Sequence, residues 1–107
     1  MSTYSCIDVT DALAIMENEA TIVDIRDAAS YETSHMVNAI SLSNDNVQDF
    51  IDNADKNKPV IVCCYHGNSS KGAAEYLAAQ GFQEVYSLNG GFSQWSAMFP
   101  EQCELGQ

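Results

Sequence analysis

Short apolar runs alternate with segments of helical periodicity along almost the whole chain. Runs rich in β-branched or other apolar residues, bounded by polar ones, predict strands at about 5–7, 21–25, 38–42, 59–63 and 84–88. Apolar side chains at helical spacing predict helices at about 8–17, around 31–32, and at 44–53, 70–80 and 92–99. The sequence therefore predicts strands and helices in regular alternation.

Residues that favour helix ends stand beside most of these helical segments. The expected N-caps are Asp8 or Thr10, Asp27, and Asn44 or Asp45. Gly81 occupies the position of a C′ glycine after the fourth helix, and Pro100 stops the last one.

Regular alternation of strands and helices indicates an α/β fold. The run at 59–63 is almost continuously apolar, as expected for a strand that is covered on both faces. We therefore predict a central, mostly parallel five-stranded sheet with helices on both faces. With 107 residues, the chain is expected to form a single domain over 1–107.

The chain is strongly acidic, which restricts its partners. The sequence has 15 Asp and Glu residues but only four Lys and Arg residues, which gives a net charge of −11. Such a chain lacks the basic surface that binds phosphate backbones, so nucleic acid is not an expected partner. Anionic membranes would repel it, and no apolar run approaches the ~20 residues that span a bilayer. A soluble protein is expected.

The four cysteines are scattered as Cys6, Cys63, Cys64 and Cys103. They offer no Cys-x-x-Cys pair for zinc or dithiol chemistry, so neither a metal nor a cofactor is expected. The N-terminus carries neither positive charge nor a following apolar stretch, which gives no sign of a secretory signal. We therefore expect free thiols in a reducing cytoplasm.

Cys64 is the candidate catalytic residue. It directly follows the apolar run at 59–63 and is itself followed by a short polar loop and a predicted helix. In open α/β sheets, sites form beyond the carboxyl ends of strands, where loop amides and a helix N-terminus favour an anion. Such surroundings lower a cysteine pKa from about 8.5 and make the sulfur a nucleophile. Cys63 is expected to face the opposite way, into the core.

The loop residues after Cys64 allow structural and functional interpretations. His66 either pairs with the thiolate or only shapes the loop, and Gly67 permits a backbone conformation that a side chain would forbid. Asn68 and Ser69 are expected to hydrogen-bond the loop backbone. Ser69 or Ser70 is a candidate donor to the sulfur, and Lys71 either assists anion binding or is an exposed helix residue.

Several residues outside the loop are interpreted as scaffold. Arg26 is expected to form an ion pair that fixes a strand end near the site, and Asp24 and His35 are also expected to be structural. Phe92 and Trp95, at helical spacing, are expected to anchor the core.

Three motifs in order resemble those of the rhodanese family. The first comprises Asp24-Ile25-Arg26-Asp27, Tyr31, His35 and Asn38-Ala39-Ile40; the second is the loop Cys64-Tyr65-His66-Gly67-Asn68-Ser69-Ser70; the third is Leu88-Asn89-Gly90-Gly91-Phe92-Ser93-Gln94-Trp95. Together they cover about residues 17–104. Ser34 and Asn38 stand where many members carry glycine, a difference that concerns local turns.

The resemblance implies a thiosulfate sulfurtransferase with a rhodanese fold. In that chemistry the Cys64 thiolate takes the outer sulfur of thiosulfate as a persulfide and releases sulfite. Cyanide or a dithiol such as reduced thioredoxin then accepts the sulfur. The resemblance assigns substrate binding to Tyr65, His66, Gly67, Asn68, Ser69, Ser70 and Lys71. Many rhodaneses carry Arg or Lys within the loop; here Lys71, just after it, is the nearest cation.

Two other functions are alternatives to sulfur transfer. Cysteine phosphatases and arsenate reductases use a Cys-x5-Arg loop, but that position is Ser70 here, and no arginine follows Arg26. Phosphoryl transfer would therefore lack its main electrostatic stabiliser. A non-catalytic rhodanese-like module for protein binding or regulation is the other alternative. Such modules usually lose the loop cysteine, which this chain keeps.

Overall fold

The computed structural model describes residues 3–106. The helices are α1 (Val9–Asn18), α2 (Ala28–Thr33), α3 (Val47–Asn53), α4 (Ser69–Ala79) and α5 (Gly91–Met98). The strands are β1 (Ser5–Ile7), β2 (Thr21–Asp24), β3 (His35–Met36), β4 (Ile40–Ser41), β5 (Val60–Cys63), β6 (Val85–Leu88) and β7 (Cys103–Glu104), with a 3₁₀ turn at Pro100–Gln102.

The central sheet has five strands in the order β1-β6-β5-β2-β4. Every neighbouring pair in it is parallel, with Val62 beside both Val23 and Ser87 at its centre. The predicted α/β class and five-stranded sheet are thus confirmed. A separate antiparallel pair, β3 with β7, ties the C-terminal segment to His35 and Met36. No sequence pattern predicted this pair.

Helices cover both faces of the sheet, as predicted. On one face, Ile51 of α3 and Ala74 and Leu77 of α4 pack with strand residues at alternate positions. These strand residues are Val23, Val60, Val62 and Val85. On the other face α1 and α5 pack on a second cluster, which includes Val9, Ala12, Ile22, Ile61, Cys63, Leu88 and Trp95. The alternation of side chains along β5 sends successive apolar residues to opposite cores.

Two predicted element boundaries were wrong in detail. The strand expected at 38–42 is only the short β4, because Asn38 adopts a left-handed conformation (φ 63°) in the turn that precedes it. The cap of α3 is Asn46 rather than Asn44 or Asp45. A turn precedes α3, and the Ser43 amide stabilises this turn by donating to Asn46 Oδ1 at 2.8 Å. Because of the turn, the helix begins one or two residues later than predicted.

The remaining helix ends agree well with the sequence. Asp8 is the N-cap residue of α1, and the Asp27 carboxylate accepts the Ser30 amide at the start of α2. Gly81 directly follows the C-cap of α4. Phe99, expected within the last helix, lies just after α5. Among residues 3–106, no helix is long and apolar enough to cross a membrane.

Candidate active site

Cys64 lies immediately after β5, at a place where the order of the sheet changes direction. The chain adds β4 on one side of β2 and then returns to place β5 on the other side. A crevice forms at the carboxyl ends of strands at such a switch point. The predicted position of Cys64 directly after a strand, at the carboxyl edge of the sheet, is therefore confirmed.

The loop curls so that its amides point at the cysteine sulfur. The Gly67 amide lies 3.1 Å from Cys64 Sγ and the Ser70 amide 3.3 Å from it. Ser70 belongs to the first turn of α4, an eleven-residue helix whose positive dipole end faces the sulfur. Two converging amides and a helix N-terminus make a cradle suited to an anion.

These contacts lower the pKa of the Cys64 thiol. Burial opposes the thiolate, but hydrogen bonds from the Ser70 hydroxyl and from the amides of Ser70, Gly67 and His66 outweigh that penalty. The Cys64 residue is only 3% exposed, so these donors are the main stabilisers of its anion.

The pKa values of Cys63 and Cys103 are raised instead of lowered. Burial and the nearby Asp24 carboxylate raise the pKa of Cys63 well above its ordinary value. Its side chain belongs to the core under α1 and α5, and its thiol approaches the Cys64 carbonyl oxygen (3.6 Å). Burial likewise raises the pKa of Cys103. The predicted orientation of Cys63 away from the cradle is confirmed.

The start of α5 holds the backbone of the loop from the other side. The Phe92 amide donates to the Cys64 carbonyl oxygen at 2.8 Å, and the Ser93 amide donates to that of Tyr65 at 3.1 Å. Gly91 (φ 57°) allows this approach, since a Cβ there would lie 2.5 Å from the Cys64 oxygen. Gly67 (φ 96°) is equally crowded, with a Cβ position 2.9 Å from the Gly90 nitrogen. Residues of the motif at 88–95 thus hold the backbone of the Cys64 loop in place.

Ser70 and Ser87 form a hydrogen-bonded pair of fully buried hydroxyls, 2.7 Å apart. Ser70 was expected near the sulfur, but the sequence reasoning missed Ser87. A single serine among the apolar residues of β6 was the available signal.

Arg26 and Asp24 form the expected ion pair beside the loop. Arg26 Nη2 lies 2.7 Å from Asp24 Oδ2, and both side chains are almost completely buried. The guanidinium also donates to the Ser34 carbonyl oxygen and lies 4.2 Å from the centre of the Phe92 ring. The pair therefore connects the end of β2 to the start of α5. Trp95 is fully buried, as predicted for a core anchor.

The other candidate binding residues surround the cradle without reaching its sulfur through their side chains. Tyr65 is exposed, and its hydroxyl lies 3.1 Å from Ser30 Oγ. His66 and Lys71 are exposed. Within residues 3–106, the Asn68 and Ser69 side chains make no hydrogen bond to the loop, so that expectation was wrong. Main-chain contacts with α5 hold the loop instead.

An open groove of about 870 Å³ lies next to this site, between α4 and the segments that follow β2 and β4. Its lining includes Arg26, Leu42, Val47 and Tyr76, but not Cys64. No group of three or more His, Cys, Asp or Glu side chains in the described part of the chain is arranged to hold a metal ion.

The sequence matches the Rhodanese-like domain family over residues 8–98. The chain belongs to the rhodanese family. It is 43% identical over 106 residues to the "Thiosulfate sulfurtransferase GlpE" of Pseudomonas savastanoi pv. phaseolicola, covering 99% of this chain and 100% of that protein. The predicted enzyme class, a rhodanese-type sulfurtransferase, is confirmed by this full-length similarity.

Solved rhodanese structures share the fold. A rhodanese-like domain protein from Staphylococcus aureus superposes with a TM-score of 0.79 at 22% identity, covering 98% of this chain and 100% of that chain. The rhodanese-like domain of an Anabaena sp protein gives a TM-score of 0.81 at 24% identity, covering 94% and 78%.

Proposed function

We propose that this rhodanese is a thiosulfate sulfurtransferase that carries the transferred sulfur as a persulfide on Cys64. The observation that supports this most is the pair of amides, from Gly67 and Ser70, aimed at Cys64 Sγ at 3.1 and 3.3 Å. A nucleophile needs an activated form at working pH, and these donors favour the thiolate.

In the first proposed step, the Cys64 thiolate attacks the outer sulfur of thiosulfate. A Cys64 S–S bond forms while the sulfur–sulfur bond of thiosulfate breaks, and sulfite leaves with the electron pair. The terminal sulfur of the persulfide keeps one negative charge. The same amides that favour the thiolate would stabilise this anion by charge-assisted hydrogen bonds, each about 1.5–3 kcal/mol.

In the second step, an acceptor nucleophile attacks the terminal sulfur and restores the Cys64 thiolate. Cyanide would leave as thiocyanate. A dithiol such as reduced thioredoxin would take the sulfur as its own persulfide, and its second thiol would then expel hydrosulfide and close a disulfide. No external oxidant or reductant is required for either path.

A dianionic donor must approach a protein whose net charge is −11. The loop contains neither Arg nor Lys, so the proposed binding site relies on the amides of residues 65–70 and on the α4 dipole. Lys71 follows the loop on the exposed side of α4, and we assign it a supporting role in attracting the donor. Since Cys64 must stay reduced, and the other three cysteines are also free thiols, the proposed setting is the cytoplasm.

Intact-mass spectrometry tests the proposal. After incubation with thiosulfate and removal of excess donor, the protein should gain the mass of one sulfur atom, located on Cys64 by peptide mapping. Cyanide should remove that mass and release thiocyanate. Cys64→Ser is the matched control and should remain folded and unmodified.

Two outcomes would contradict the proposal. Turnover of thiosulfate and cyanide without sulfur on Cys64 would indicate direct transfer between bound donor and acceptor. A folded protein that neither gains sulfur nor turns over would favour a binding module.

A further inference from the structure

Tyr65, the residue that follows Cys64, is exposed, yet its side chain is held at both the hydroxyl and the ring. Its hydroxyl lies 3.1 Å from Ser30 Oγ, in the first turn of α2. The centre of its ring lies 5.8 Å from the guanidinium carbon of Arg26. Among residues 3–106, no other exposed side chain of the loop at 65–70 is hydrogen-bonded to a different part of the chain.

The direction of the hydrogen bond between Ser30 and Tyr65 follows from the other contacts of Ser30. Its Oγ lies 2.8 Å from Asp27 Oδ1, and its amide lies 3.0 Å from Asp27 Oδ2. These bonds from the Ser30 hydroxyl and amide lower the pKa of Asp27, so its carboxylate is ionised at neutral pH and can only accept. The single proton of the Ser30 hydroxyl therefore goes to Asp27, and Tyr65 donates its own proton to Ser30.

Acceptors of different size place different demands on the surface around Cys64. Cyanide has only two atoms, whereas a protein dithiol must bring its sulfur within bonding distance of a residue that is only 3% exposed. The surface of such an acceptor must therefore contact the exposed side chains around the loop. A tyrosine ring that is already fixed there offers contact area without a loss of rotamer entropy on binding.

We propose that Ser30 is a positioning residue for sulfur transfer to a dithiol acceptor: its hydroxyl oxygen accepts the Tyr65 proton and so holds the tyrosine ring as a contact surface for that acceptor. The inference rests on the proposed persulfide on Cys64. Ser30 acts through Tyr65 and not on the sulfur. Asp27 supports this role, because it takes the Ser30 proton and leaves the Ser30 oxygen free to accept.

The test compares two acceptors, cyanide and reduced thioredoxin as the protein dithiol. Ser30→Ala removes the hydrogen bond and keeps the Tyr65 ring. It should raise the KM for thioredoxin about two- to tenfold, which corresponds to ordering one free side chain on binding. The kcat with thioredoxin, the rate with cyanide and the loading of Cys64 by thiosulfate should stay unchanged.

A double-mutant cycle decides whether Ser30 acts through Tyr65. Tyr65→Phe should raise the KM for thioredoxin by a similar factor, and Ser30→Ala should have no further effect in that background. Thr33→Ala is the matched control, because it removes another hydroxyl of α2, which donates to the Ala29 carbonyl oxygen at 2.9 Å. It should leave the KM for thioredoxin unchanged.

A second measurement does not depend on sulfur transfer. In protein that carries Cys6→Ser and Cys103→Ser, Cys64 is converted to a mixed disulfide with thionitrobenzoate. A thiolate of thioredoxin attacks this disulfide, its second thiol closes the thioredoxin disulfide, and thionitrobenzoate leaves as a thiolate that is followed by its absorbance. At low thioredoxin concentration, Ser30→Ala should slow this release about two- to tenfold and leave the release by cyanide unchanged.

The proposal is overturned if Ser30→Ala leaves both thioredoxin reactions unchanged, if it slows the cyanide reactions by the same factor, or if its effect adds to that of Tyr65→Phe. If thiosulfate leaves no sulfur on Cys64, the proposed function fails. The mixed disulfide then still decides whether Ser30 and Tyr65 serve the approach of a dithiol to Cys64.

Discussion

Gly91 packs directly against the carbonyl oxygen of Cys64, so closely that a Cβ atom would lie 2.5 Å from it. The next residue, Phe92, donates its amide to that same oxygen at 2.8 Å. The carbonyl of the reactive cysteine is therefore held by α5, while its sulfur is held by α4. Because both contacts involve backbone, the loop has little freedom to move relative to the sheet.

Gly91→Ala is predicted to disrupt this clamp. The new methyl group would meet backbone atoms that cannot turn aside, and φ at this position is in the left-handed region. Together these effects should destabilise the protein by about 2–4 kcal/mol and slow sulfur loading. Chemical denaturation and the rate of mass gain with thiosulfate measure the two effects.

Gly72→Ala is the matched control for the glycine prediction. Gly72 lies within α4, and a Cβ there meets nothing within 4 Å. The substitution should stabilise the protein by about 0.5–1 kcal/mol and leave sulfur loading unchanged. Equal behaviour of the two alanine variants would contradict the clamp.

Alkylation of Cys64 is predicted to have a lower pH midpoint than that of Cys103. The cradle lowers the pKa of the Cys64 thiol, whereas burial raises the pKa of Cys103. Iodoacetamide labelling across pH, with each cysteine followed by peptide mass spectrometry, gives the two midpoints. A Cys64 midpoint at or above about 8.5 would remove the basis for its activation.

The lowered pKa of Cys64 also predicts how stability depends on pH. Its folded-state pKa lies below the unfolded value, so its stabilising contribution is complete above about pH 8.5 and is lost as pH falls through the folded pKa. The pKa values of Cys63 and Cys103 are raised in the folded state. Their contributions to folding stability are therefore complete below about pH 8.5 and are lost as the pH rises through the folded-state pKa values.

Comparing urea unfolding of the wild type with that of Cys64→Ser isolates the Cys64 contribution. The advantage of the wild type should grow from about pH 6 to pH 9. An advantage that shrinks over this range would mean that the cradle does not favour the thiolate.

Cys63→Ala is predicted to retain sulfur transfer, while Cys64→Ser abolishes it. The Cys63 side chain belongs to the core under α1 and α5, and only the Cys64 sulfur meets the Gly67 and Ser70 amides. Cys63→Ala should lower stability by about 1 kcal/mol, because it removes a small buried group. Thiocyanate formation measures activity. If Cys63→Ala abolished activity and Cys64→Ser retained it, the active site would lie on the other face of the sheet.

Arg26→Met is predicted to destabilise the protein by about 3–5 kcal/mol, since it leaves the Asp24 carboxylate buried without its partner. Lys58→Met is the control, because Lys58 pairs with Glu19 at the surface and should contribute less than about 1 kcal/mol. Denaturant unfolding gives both values. Similar losses in the two variants would show that the buried pair has no special structural importance.

The sequence by itself determined the fold class and the place of the reactive cysteine. Hydrophobic periodicity predicts the strands and helices, and an apolar run that ends in Cys63 puts Cys64 at a strand end. Strand alternation then separates Cys63 from Cys64. These properties depend on local pattern, which is why they could be derived without coordinates. The turn at Asn38 and the cap at Asn46 could not be derived in this way, because nearby polar residues offer several equally good turns.

Only the tertiary structure decided which groups meet the Cys64 loop. Ser87 reaches Ser70, and Gly91 reaches the Cys64 carbonyl, from segments seventeen or more residues away. The β3–β7 pair likewise joins residues from the two halves of the chain. Such contacts follow from strand order and helix docking, and a serine in β6 has the same local pattern whether or not a hydroxyl lies opposite it. Parallel pairing of β5 with β6 brings that hydroxyl to the Ser70 hydroxyl, in the first turn of α4.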